Sequence, residues 1–382
     1  MRRAALSLVL PLLAACARET AVDPSGSLRV ADVLGAHGDA DAGFQRATEV
    51  PTLRFPADHG PHPTFRTEWW YVTANLDDAQ GARFGVQLVF FRQAFAAHAG
   101  ERTASLAARD LVLAHAAVTD VSAQRFHYAE RLARLAGGLA EVRGGTDGPL
   151  HLACDGWTAT ATNDGDGLLP LDLRAGGDAF AFTLRVSPGK PIVLQGDRGL
   201  SQKSAAPGNA SIYYSLPRLP IAGALTVDGT AHDVHGLAWI DREWSTSALG
   251  PDQVGWDWFS LQLDNGEELM WYGLRRADGT IDAWSGGSLI APDGSVQRLT
   301  AAQVTATPDG TFAAADGRAH YPARWHLHCA SPAFDVAVTP LVADQELHVG
   351  VRYWEGAVLI QGTRDGHPVT GRGYLEMTGY AR

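Results

Sequence analysis

The sequence lacks a basic surplus: 31 Lys and Arg stand against 42 Asp and Glu, a net charge of −11 over 382 residues. Binding nucleic-acid phosphates needs a basic face, so no nucleic-acid partner is expected. Glycine-rich phosphate loops are also absent, so neither ATP nor NAD is implied and no cofactor is expected. No Gly-x-Ser-x-Gly occurs. Ser187-Pro188-Gly189-Lys190 spells Ser-x-x-Lys, but that chemistry needs both groups on one helical turn, which Pro-Gly breaks. Cysteine is scarce, at three residues. Cys154 and Cys329 either form a bridge, which an oxidising compartment permits, or lie as separate thiols in cores large enough to need no staple. The 14 His do not make up for the missing thiols as metal ligands. His326 and His328 share a strand face, yet no third ligand recurs at a diagnostic spacing, so no metal site is expected.

What is present begins at the N-terminus. Met1-Arg2-Arg3 precedes an apolar run over 4–15 that is too short to span a bilayer permanently, the pattern of a secretory signal. Leu13-Ala14-Ala15-Cys16 has the form of a bacterial lipobox, which makes 1–15 a signal peptide and Cys16 the lipidated first residue of the mature chain. Such an anchor places the protein on the periplasmic side of a bacterial membrane. Ala17, where an Asp would favour inner-membrane retention, leans towards the outer membrane. Residues 16–45, rich in Ala, Asp and Gly, have the composition of a tether.

From Thr52 onward short apolar runs alternate with Gly, Asp, Asn and Pro, which predicts an all-β chain with a few short helices. Residues 67–75 and 83–92 form a hairpin pattern in which Trp69 and Tyr71 share one face, Glu68 and Trp70 the other. A polar stretch over 95–109 is expected to leave the sheet. The polar segment 195–209 is long enough to act as a flap over a cavity mouth. The length fits two domains, placed at 46–232 and 233–382, with Pro217 expected to end pairing at the close of the first. Turns at Asn265-Gly266, Asp278-Gly279 and Asp365-Gly366 make the second half a meander, and sequential hairpins favour closed antiparallel barrels able to hold one small ligand.

The stretch over 235–244 organises the chain. Read as a strand, it puts His235, Leu237, Trp239, Asp241 and Glu243 on one face and Gly236, Ala238, Ile240, Arg242 and Trp244 on the other. A carboxyl beside an indole in a covered site loses solvation, its pKa rises, and it becomes able to donate a proton. Asp241 and Glu243 are the two carboxyls of this face that such a site would suit as a proton donor, with Trp239 and His235 beside them. Eleven Trp, several beside acids in strands, suit a lipophilic ligand. Its candidate contacts are Glu68, Trp69, Trp70, Tyr71, Tyr213, Tyr214, Trp244, Trp258, Trp354 and Glu355.

Four separated motifs then agree. Glu68-Trp69-Trp70-Tyr71-Val72 with Phe84-Gly85-Val86-Gln87 is the first, and Tyr213-Tyr214-Ser215-Leu216-Pro217-Arg218-Leu219 the second. Gly236-Leu237-Ala238-Trp239-Ile240-Asp241-Arg242-Glu243-Trp244 is the third and Gly373-Tyr374-Leu375-Glu376-Met377-Thr378-Gly379-Tyr380 the fourth. Over about residues 50–382 the chain resembles the AttH-type secreted lipocalin-like proteins, which are related to carotenoid 1,2-hydratases and often labelled predicted secreted hydrolases. The resemblance implies two lipocalin-like barrels packed together with a cleft at their junction. In the hydratases an Asp in the motif matching Ala238-Trp239-Ile240-Asp241 protonates a terminal double bond, and Asp241 stands in that place; the resemblance thus implies Asp241 as the general acid, with Trp239 and Trp258 lining the cation and Glu243 or His235 positioning water. The Tyr they carry two residues earlier is Trp239 here, and their upstream His falls near Ser211, so the acid has different partners. The family's link to ABC-type export implies a transporter partner. The expectation is a periplasm-facing lipoprotein that binds a terpenoid- or lipid-like molecule and catalyses acid-promoted hydration or isomerisation. The alternatives are a non-catalytic lipid-binding accessory protein of an ABC-type exporter and a secreted hydrolase.

Overall fold

The computed structural model describes residues 38–97 and 109–381. The signal peptide, Cys16, most of the tether and most of the 95–109 stretch lie outside the described residues. The first sheet contains β1 (Thr67–Asp78), β2 (Arg83–Ala94), β3 (Asp110–Asp120), β4 (Arg125–Arg134), β5 (Ala140–Gly145), β6 (Gly148–Cys154) and β7 (Trp157–Ala161). It continues with β8 (Leu171–Gly176), β9 (Phe180–Val186), the short β10 (Val193–Leu194) and β11 (Leu200–Gln202), β12 (Ala210–Val227) and β13 (Thr230–Ser247). The second sheet contains β14 (Gln253–Leu263), β15 (Glu268–Arg276), β16 (Gly286–Ile290), β17 (Val296–Thr300) and β18 (Val304–Ala313). It is completed by β19 (His320–Ala330), β20 (Ala333–Pro340), β21 (Glu346–Leu347), β22 (Tyr353–Arg364) and β23 (His367–Thr378). Helix among the described residues is confined to two 3-10 turns, Gly38–Asp41 and Ala57–His59. The chain is thus all-β, built as two packed, lipocalin-like antiparallel sheets.

The first sheet runs β4-β3-β2-β1-β13-β12-β9-β8-β7-β6-β5, and the second β17-β16-β15-β14-β23-β22-β20-β19-β18. The first curls until β6 meets β3, where the Cys154 thiol lies 3.5 Å from the Val112 carbonyl. Each sheet encloses its own apolar core, and the two cysteines are free and buried, Cys154 in the first core and Cys329 in the second.

Two expectations need correction. The sheets change over between Ser247 and Gln253, not near residue 232, because Asp228-Gly229 folds β12 and β13 back on each other. Both turn residues have positive φ, 47° and 78°, the geometry of a tight two-residue hairpin that keeps consecutive strands in one sheet. Nor does Pro217 end pairing. A register shift between Leu216 and Leu219 bulges Pro217 and Arg218 out of the ladder, and β12 resumes beyond them. A bulge is where a residue with no N–H is tolerated within a sheet.

The β13 strand is the spine of the molecule, paired with β1 on one side and β12 on the other. Its alternation is kept, with Ala238, Ile240 and Trp244 in the first core. Its opposite face joins a third apolar cluster between the sheets, which includes Tyr71, Tyr213, Trp239, Trp258, Met270 and Tyr374. Polar bonds also cross this junction. Gln262 Nε2 donates to the carbonyls of Pro217 (2.8 Å) and Ala238 (3.0 Å), and Arg372 grips Asp77 through two hydrogen bonds of 2.9 and 2.6 Å. At Gly85 the sheets come so close that an added Cβ would lie 2.6 Å from both Ala357 Cβ and the Tyr374 hydroxyl. A side chain there would push the halves apart.

Candidate active site

A cavity of about 90 Å³ opens at the junction. One water needs about 10–15 Å³ by this measure, so there is room for the end of a ligand together with water. From the first sheet β13 contributes Asp241 and Glu243, β12 contributes Tyr213, and β1 contributes Trp69 and Tyr71. From the second come Trp256 and Trp258 on β14, Tyr272 on β15, Tyr353 and Glu355 on β22, and Glu376 on β23. Lys203, from the segment expected to be a flap, closes one side. Four carboxyls therefore face one cation inside a largely aromatic wall.

Asp241 is 4 % exposed and held from three directions. Ser215 Oγ (2.5 Å) and Trp239 Nε1 (2.8 Å) donate to Oδ1, and the Tyr213 hydroxyl (2.7 Å) donates to Oδ2. A carboxylate offers about four acceptor positions. Three are filled by the protein, and the remaining one, on Oδ2, is where a transferable proton fits. Burial pushes the Asp241 pKa up to about 7; the three donors work against that rise and the Glu243 charge assists it. Tyr213 is fixed in turn by Trp258, whose Nε1 donates to its hydroxyl at 3.1 Å.

The other acids divide into two groups. Glu243 pairs with the Lys203 ammonium at 3.4 Å, and that ammonium also donates to Ser201 Oγ at 2.9 Å and sits 4.3 Å from the centre of the Tyr272 ring. Glu355 and Glu376 face each other in register across β22 and β23. Burial raises Glu376 to about 8, Trp256 opposes the rise through a hydrogen bond, and the charges of Glu243 and Asp241 add to it. Burial also drives the Glu355 pKa well up, with Glu376 next in effect. Among the described residues no three side chains of the ligating types converge to hold a metal ion.

The structure brings together Asp241, Glu243, Trp69, Tyr71, Tyr213, Trp258 and Glu355 at this cavity. Trp239 lies directly behind it, edge-on to Trp258 with ring centres 6.3 Å apart. His235 is not brought in. It is exposed and pairs with Asp77 six residues upstream of Asp241, about 20 Å along a strand. Glu68, Trp70, Tyr214 and Trp244 point the other way, into the first barrel. Glu68 is fully buried there in ion pairs with Arg92 and Arg242, and the Arg242 guanidinium lies 3.8 Å from the centre of the Trp70 ring. Tyr214 bonds His59 at 2.7 Å, Trp244 stacks on His62, and Trp354 belongs to the second core. Lys203, Trp256, Tyr272, Tyr353 and Glu376 were not singled out by sequence. Glu376 stood in a quoted motif, and its alternation with Tyr374 was the available signal.

A family model described as AttH-like matches residues 46–380. No curated protein matches the chain. Among solved structures, an AttH candidate protein from Nitrosomonas europaea is 34 % identical, with 88 % of this chain and 100 % of that one covered and a TM-score of 0.77. Kievitone hydratase from Nectria haematococca is 16 % identical, with 89 % and 97 % covered and a TM-score of 0.67. CghA, solved with Sch210972, is 15 % identical over 89 % and 97 % of the two chains, with a TM-score of 0.52. The last two share the fold.

Proposed function

The chain belongs to the AttH-like family, and from that premise and the geometry of its junction cavity we propose that it takes up an unsaturated lipophilic molecule and hydrates or isomerises it by proton transfer from Asp241. The observation that carries this reading is a buried carboxyl raised to about 7, boxed by three donors and facing an aromatic cavity. An acid tuned near the working pH is suited to general acid catalysis. The proton passes from Asp241 to one carbon of a double bond, and the adjacent carbon becomes cationic beside the rings of Tyr213 and Trp258. Water then bonds that carbon and returns its surplus proton to Asp241, giving an alcohol. Alternatively a neighbouring C–H returns the proton, giving an isomer. Kievitone hydratase shares the fold, which suits this reaction class. The test is product formation by native protein against Asp241→Asn.

A non-catalytic lipid carrier for an ABC-type exporter is the second reading. It draws on the fact that both Asp241 oxygens are already hydrogen-bonded within the first sheet. A hydrolase is less well supported: Ser215 bonds Asp241, but among the described residues no His lines the cavity. The lipobox at Cys16 supports a lipid anchor on the periplasmic side, where lipophilic cargo is met.

A further inference from the structure

The wall opposite Asp241 holds two carboxyls in cross-strand register, Glu355 and Glu376, with the cavity's one ammonium, Lys203, committed to Glu243. Two ionised acids side by side in a buried site repel strongly and lose their hydration, so such a pair retains protons. Glu355 is 0 % exposed. Its Oε1 accepts a 2.6 Å hydrogen bond from the Tyr71 hydroxyl, while its Oε2 has no hydrogen-bond partner among the described residues. With Oε1 occupied as an acceptor, the acid proton belongs on Oε2, a buried atom of a side chain that lines the cavity. Tyr353, Tyr374, Glu376 and Asp241 are the other titratable groups that act on it or that it acts on, and none of them brings a positive charge.

From this geometry we infer that Glu355 is a neutral hydrogen-bond donor that reads an acceptor oxygen on the ligand, so the substrate is an unsaturated ketone or ester rather than a pure hydrocarbon. The inference rests on the lipophilic-ligand reading of the same cavity and adds what the ligand must carry. A buried donor left without a partner penalises any ligand that cannot satisfy it, which is how such a site rejects a hydrocarbon of the same shape. A protonated amine would instead require Glu355 to ionise.

The probes are acetonaphthone, its hydrocarbon isostere isopropylnaphthalene, and naphthylethylamine, titrated by tryptophan fluorescence into native, Glu355→Leu and Glu355→Gln proteins. Native protein should prefer the ketone over the hydrocarbon by about tenfold, the usual worth of one buried hydrogen bond. Glu355→Leu should abolish that preference, and Glu355→Gln, which keeps a neutral donor, should retain most of it. An infrared difference spectrum of native protein should show a neutral carboxyl band shifting when acetonaphthone binds, a readout that does not depend on the variants folding. Equal binding of ketone and hydrocarbon, or no carboxyl shift, overturns the assignment of Glu355 alone. Preference for the amine with its loss in Glu355→Gln overturns it in favour of an ionised anchor. Failure of all three probes to bind overturns it together with the lipophilic-ligand reading.

Discussion

The Tyr71 hydroxyl donates to Glu355 at 2.6 Å, joining a strand of the first sheet to a strand of the second at the wall of the cavity. Tyr71 also stands opposite Asp241 in the β1–β13 ladder, so one side chain touches both halves of the site. The cavity is therefore a property of the packed pair of sheets. Neither half supplies it alone.

Asp241 and Glu376 make the stability of the protein fall as pH rises. Burial raises them to about 7 and about 8, so the native state holds protons that the unfolded chain gives up near 3.8 and 4.5. Their contribution is fully present below those unfolded values and is lost as pH rises through about 7 and 8. His59, lowered by burial to about 4, acts in the opposite sense up to its ordinary 6.5, so the window from 6.5 to 8 isolates the carboxyls. Thermal melts should show a midpoint that drops across that window in native protein and stays flatter in the Asp241→Asn/Glu376→Gln double variant.

Tyr213→Phe removes a donor that holds the Asp241 pKa down. The pKa should rise further, and the alkaline limb of the pH–rate profile should move to higher pH. Turnover should fall by about tenfold, the scale of one lost buried hydrogen bond. An unmoved limb would detach Tyr213 from the acid.

Glu68→Gln should act on stability and leave the cavity chemistry alone. Glu68 is fully buried between Arg92 and Arg242, whose charges overcome the effect of burial and hold its carboxyl well below the usual range. Breaking such a network leaves the buried Arg242 without its ion-pair partner and Arg92 with Asp110 alone at 3.4 Å, a loss of about 3–5 kcal/mol. Denaturant unfolding should register that loss, while probe affinity in the folded protein stays native.

Much of the site was legible in the strand period. Alternation put Trp239, Asp241 and Glu243 on one face of β13, and they do share one. The sequence could not say which face of β1 and β12 meets the other sheet, because both faces are buried. Glu68, Trp70 and Tyr214 therefore looked as suitable as Trp69, Tyr71 and Tyr213, and only sheet packing separates them. His235 was misplaced for a related reason: alternation fixes the face and not the distance, and β13 runs well beyond the junction. Lys203 reaches the cavity through long-range packing that no local spacing encodes, whereas Trp256 shares a face of β14 with Trp258, a signal that alternation carries. The domain boundary failed on a turn signal that was present, since Asp228-Gly229 marks a hairpin and not a linker.

Cys16→Ser should release the protein from the membrane fraction, because it removes the one side chain in the lipobox that can carry the lipid. Detergent-phase partitioning of native and variant proteins checks this, and unchanged partitioning of the variant would refute the anchor.

The most direct test of proton transfer from Asp241 begins with a mass-spectrometric inventory of the lipophiles that copurify with native protein. The unsaturated one is then incubated in deuterium oxide with native and Asp241→Asn proteins, and binding and carbon-bound deuterium are measured side by side. Native protein should place deuterium on carbon. The variant, which keeps the shape of the side chain but has no carboxyl proton to give, should bind within about threefold of native and incorporate about a hundredfold less. Undiminished incorporation by Asp241→Asn, or none by native protein, would contradict the account.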